Sequence, residues 1–90
     1  MRTEYHFDVA KLLSNLEGNL LVQANATCQR LESKWLEQIT EEAEDQGKKP
    51  EDHPMWRAWR HVITTKSFIM AGNTEKAITE AQALYKEVTS

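Results

Sequence analysis

With one cysteine, two prolines and three glycines in 90 residues, the chain has few covalent or conformational stops. A lone Cys28 cannot close an intrachain disulfide, so a reducing, cytoplasmic compartment is expected. So few prolines and glycines favour long helices over many short strands. No apolar run approaches the ~20 residues a membrane span needs, and the first eight positions carry acidic and aromatic residues instead of a signal-peptide core. Chemistry is sparse too. There is no glycine-rich phosphate loop and no HExxH pair. His6-x-Asp8 and Asp52-His53 are adjacent pairs, and His53 and His61 stand eight apart with no third ligand in register. No catalytic residue, metal or cofactor is therefore expected, and Asn25-Ala-Thr27 is a sequon in the middle of a helical pattern.

At 40% hydrophobic and 28% charged residues the composition is that of a folded domain, and 90 residues make one. The periodicity is helical. Val9, Leu13, Leu16, Leu20, Ala24, Cys28, Leu31, Trp35 and Ile39 recur in steps of three or four, which predicts one helix over about 8–43. Asp8 would cap it, and Phe7 and Leu12 would form a hydrophobic staple. At 1.5 Å per residue such a helix is ~50 Å long. Gly18-Asn19 marks its weak point, since glycine costs about 1 kcal/mol in a helix interior.

A polar loop follows over about 44–53, with Gly47, Pro50 and Pro54 as breakers. A second helix is predicted over about 54–71, with Pro54 at its first position and Gly72 as its left-handed terminator. Asn73 or Thr74 caps a third helix over about 74–88. Its apolar stripe is Ala77, Ile78, Ala81, Leu84, Tyr85 and Val88. The stretch Gly72-Asn-Thr-Glu-Lys-Ala-Ile78 resembles the turn and second-helix start of a tetratricopeptide-like hairpin. No second copy follows, although such arrays need about three repeats, so the resemblance implies a helical hairpin and nothing more. The expected fold class is all-α with three helices, one long N-terminal helix packed against a short antiparallel helical hairpin. The mismatch in length leaves part of the long helix uncovered, so the short helices are displaced along it, or it kinks at Gly18, or a second copy covers the remainder; a homodimer is the physically motivated expectation. Val22 and Leu36, pointing off the main stripe, are the candidate self-association residues.

Around the second helix the residues sort into two sides. Met55, Ala58, Trp59, Val62, Ile63, Ile69 and Met70 share the apolar side, with Lys66 in its midst, to be met by a carboxylate or to snorkel. Arg57, Arg60, His61, Thr64 and Phe68 share the other, with Trp56 at the boundary. Arginine and aromatic anchors dominate interfaces, so Trp56, Arg57, Arg60, His61, Thr64 and Phe68 are the candidate partner-binding residues.

Charge is also segregated. Glu32 to Gln46 holds six acidic residues against one lysine, whereas Lys48 to Lys66 holds five basic residues against two acidic ones. The favoured reading is that the two segments neutralise each other inside the molecule. Taken together, these features suggest a small non-enzymatic protein-interaction module, an adaptor, assembly chaperone or stoichiometric inhibitor of the kind phages and mobile elements encode. Two other readings compete: a nucleic-acid binder using Lys48, Lys49, Arg57 and Arg60, and a purely structural self-assembling bundle. The net charge of −3 disfavours general phosphate binding.

Overall fold

The computed structural model describes residues 3–90, and the chain forms four helices, not three. They are α1 (Thr3–Glu17), α2 (Leu21–Asp45), α3 (Trp56–Met70) and α4 (Thr74–Thr89), with one 3-10 turn at Pro50–Asp52 between α2 and α3. The all-α class holds. The single long helix does not, because it ends at residue 17 and restarts at residue 21.

Local backbone chemistry makes that break. Asn19 takes a left-handed φ of 58°, a conformation asparagine tolerates better than most residues. The Leu20 N–H donates to the Asn15 carbonyl at 2.8 Å and the Asn19 N–H to Leu16 at 3.0 Å. This paired pattern satisfies the orphan carbonyls of a helix end with a left-handed residue just beyond it. The same arrangement closes α2 at Gly47 (φ 65°), where Lys48 donates to Ala43, and α3 at Gly72 (φ 75°), where Asn73 donates to Phe68. Gly72 is thus the terminator the sequence predicts. At the other end of its turn, the Asn73 side chain accepts from the Lys76 N–H, as expected of a cap.

Packing energy explains why the chain reverses at residue 19. A continuous helix would leave Tyr5, Val9, Leu12 and Leu16 in water, whereas the reversal buries all four. Each large apolar side chain buried contributes roughly 1.5–3 kcal/mol, well above the ~1 kcal/mol that one unfavourable turn residue costs. The helical phase resets at the turn. Leu13 is only half-buried and Leu20 is exposed, although the continuous stripe had placed both in the core. Asp8 and Phe7 likewise lie inside α1 and neither cap nor staple it. Asp8 instead faces Lys34 at 3.5 Å and Arg30 at 3.8 Å across the α1–α2 seam.

Each helix packs on its two neighbours in a ring, α1 on α2, α2 on α3, α3 on α4 and α4 back on α1. Partners in sequence run antiparallel. Tyr5 bonds Gln38 while Asn15 bonds Thr27; His53 meets Glu42 while Trp59 meets Glu32. Fully buried Trp35 fills the α1–α2 side of the core, with the Tyr5 ring edge-on at 5.3 Å. The length mismatch that had motivated a dimer is resolved within the chain, because α1 folds back to cover α2. α3 begins two residues later than expected, at Trp56, and Pro54 belongs to the turn before it. There the His53 Nδ1 accepts from the Met55 N–H at 2.9 Å, so its proton sits on Nε2 and is donated to Glu42 at 2.5 Å.

The turn yields a prediction. Asn19→Gly should leave stability unchanged or slightly raised, because glycine adopts positive φ without strain. Asn19→Val should cost roughly 1–2 kcal/mol, since a branched Cβ clashes in that conformation. Urea unfolding monitored by helical circular dichroism measures both, and a Val variant as stable as the parent removes Asn19 from its role.

Candidate functional site

The six residues expected to form one patch divide between two faces. Arg57, Arg60, His61 and Thr64 line a shallow groove closed on its far side by Glu80 of α4. Arg57 is 79% exposed along its side chain and its only ion-pair contact among the described residues is Glu87 at 3.9 Å. Arg60 is exposed and has no ion pair among the described residues. His61 is half-buried and pinned through Nδ1 to Glu80 at 2.5 Å. The Thr64 hydroxyl donates to the Arg60 carbonyl one turn back, 3.1 Å away.

Both aromatics have other surroundings. Phe68 is half-buried against the core, and the Lys76 ammonium stands 5.9 Å from its ring centre. Trp56 is also half-buried and leans on Trp59, ring centres 4.8 Å apart. On a helical wheel Trp56 groups with Trp59 and Ile63, on the side of α3 that faces α2 and away from Phe68. The outward arginines therefore carry the exposed chemistry of this groove without an open aromatic beside them.

Charge compensation inside the molecule follows the expected route in part: Glu32–Lys66 and Glu42–His53 join the acidic segment to the one after it, while Arg57 turns elsewhere. Lys66 is indeed met by a carboxylate, with Nζ 2.9 Å from Glu32. The basic N-terminal half of α3, however, looks toward α4 and its Glu80 and Glu87.

Val22 is 81% and Leu36 36% exposed, both on the outer side of α2. Sequence reasoning missed their neighbour Met70, which it had placed in the core. Met70 is 72% exposed and shares a cleft with Leu21, Val22, Asn25 and Ile69. A signal for it was present: the apolar arc of α3 runs from Ala58 around to Trp56, wider than one neighbouring helix covers. Phe7, 70% exposed on α1, went unnoticed because the cap at Asp8 hid it.

Cys28 is fully buried among these helices, and burial pushes its thiol up to about 12; nearby Lys66 works against the shift and Glu32 adds to it. Among the described residues no group of three His, Cys, Asp or Glu side chains could hold a metal ion, and no helix is long and apolar enough to cross a membrane. Comparison with known protein families, curated proteins and solved structures finds no match to this chain.

Two outcomes follow. In the folded protein Cys28 should resist thiol reagents at pH 8 and react only on unfolding. Between pH 9 and 12 the folded thiol keeps its proton while the unfolded one loses it, so the native state should lose stability as pH rises through that window. The melting temperature of Cys28→Ala, which lacks the thiol, should fall less steeply there. Separately, replacing the half-hydrated pair with Glu32→Gln plus Lys66→Met should shift stability by no more than about 1 kcal/mol in either direction. A larger loss in urea unfolding would make the pair a principal support of the α2–α3 packing.

Proposed function

We propose that this chain is a non-enzymatic protein-interaction module that binds an acidic segment of another protein along the α3–α4 groove, acting as an adaptor, assembly chaperone or stoichiometric inhibitor. The observation that carries this reading is the pair Arg57 and Arg60. In a protein of net charge −3 both are exposed at a helix surface: Arg57 has Glu87 at 3.9 Å, Arg60 has no ion pair among the described residues, and the groove's own Glu80 is taken up by His61. Guanidinium forks bind carboxylates bidentately and are less strongly hydrated than ammonium groups. Glu80 holds His61 and fixes one wall of the groove, so little side-chain entropy is lost there on binding.

A protein partner is favoured over nucleic acid by the aromatics. A single strand needs open rings on which bases stack, and Trp56 and Phe68 are both packed against the core. Affinity capture with the parent protein and with Arg57→Glu plus Arg60→Glu tests the reading. A protein partner should be retained after nuclease treatment and lost, by at least about tenfold in yield, with the double variant. Identical captures by parent and variant sink the groove as a binding site. Nuclease-sensitive material, released steeply between low and moderate salt, assigns the arginines to phosphates instead.

A further inference from the structure

Beside the arginine groove, and independent of it, the α2–α3 side of the bundle presents a second surface. On α2, Val22, Ala26, Gln29, Ser33, Leu36 and Thr40 are all exposed and follow one another in steps of three or four, with no charged residue among them. The other exposed residues of this helix are all charged except Gln23. On α3 the part of the apolar arc that α2 leaves uncovered continues this surface. Trp56, Trp59 and Ile63 are half-buried and Met70 is exposed. Two contacts tie the helices together here: the cleft shared by Val22 and Met70 at one end, and the Trp59 indole donating to the Glu32 carbonyl at 2.9 Å, one turn before Leu36. The charges between them, Lys66 and Glu32, neutralise each other at 2.9 Å.

We infer that this face is the contact between two copies of the chain, packed with their α2 helices antiparallel. Three features favour a second copy. A two-fold contact brings a surface against itself, so any net charge on it repels its own image; the one charged pair inside this face is self-compensated, and the glutamates that border it, Glu37 and Glu41, stand only at its Leu36 end. Antiparallel pairing also sets the Val22–Met70 end of one copy against the Leu36–Trp56 end of its partner. The acidic C-terminal turns of α2, with Glu41, Glu44 and Asp45, then lie at opposite ends of the interface; parallel packing would bring them together. Size permits it as well. The molecule measures 41 × 23 × 17 Å, so its broad sides are large enough to hold the ~800 Å² per partner of a standard interface.

Sedimentation equilibrium of the full chain, from low micromolar to roughly 500 μM, tests this directly. The parent should be a dimer at the upper end. Val22→Glu plus Met70→Glu, at two exposed positions, should weaken dimerisation by at least about tenfold with helical circular dichroism and urea midpoint retained. Phe7→Glu on α1, and Arg57→Glu plus Arg60→Glu on the α3–α4 groove, should leave the dimer intact. A parent that stays monomeric throughout overturns the inference. So does a dimer that survives the Val22–Met70 change, or one that dissociates with Phe7→Glu. Because the arginine variant is a separate arm, failure here leaves the groove reading standing, and the reverse holds too.

Discussion

Every interhelical contact depends on three residues holding a backbone conformation that L-residues avoid. Asn19, Gly47 and Gly72 each take positive φ just past a helix end, and each lets its own amide and the next one turn back to satisfy carbonyls the helix leaves open. The reversals cost little because two of the three positions are glycine. What they make possible is large. Four amphipathic helices of 15 to 25 residues, whose stability comes mostly from packing of their apolar faces, meet stripe to stripe around one core.

The core that results is polarised in how it is filled. Between α1 and α2 it holds bulk, with Trp35, Tyr5, Leu12, Leu16, Leu31 and Ile39. α3 and α4 contribute more small residues, with Ala58, Thr65, Ala77 and Ala81 beside Val62, Leu84 and Val88. Small side chains let two helices approach closely, and Thr65 needs no outside partner because its hydroxyl donates to the His61 carbonyl of its own helix at 2.8 Å. The close α3–α4 pair brings Glu80 and Glu87 beside His61 and Arg57. Packing of small residues thus shapes the groove that the outward arginines border.

Much of this was legible in the residues. The all-α class follows from the spacing of apolar positions, and Gly72 and Asn73 announce their turn through the conformations glycine and asparagine accept. Lys66 could be paired with a carboxylate because a lone ammonium on an apolar face demands one. The break at residue 19 was not legible, since steps of three and four continue across it from Leu16 through Leu20 to Ala24. Only the tertiary gain from folding α1 back decides between a kink and a reversal. The patch on α3 was misjoined for a related reason. A wheel drawn for one helix shows which residues share a direction, but two flanking helices determine how far the covered sector extends. Trp56 sits at its α2 edge, away from the arginines, whereas Phe68 stays on the α4 side one turn beyond Thr64, half-buried rather than open.

The ring of neighbours has a topological consequence. α1 and α4 pack together without a connecting loop, the one seam of the four closed by chain elements remote in sequence. Since neighbours alternate in direction, Thr3 and Thr89 lie at the same end of that seam. A short linker across it, with the chain opened instead in the long turn between α2 and α3, would preserve each helix and each pair of packed faces. The architecture is a closed cycle in which the order of reading the helices is nearly arbitrary; their alternation is what the packing requires.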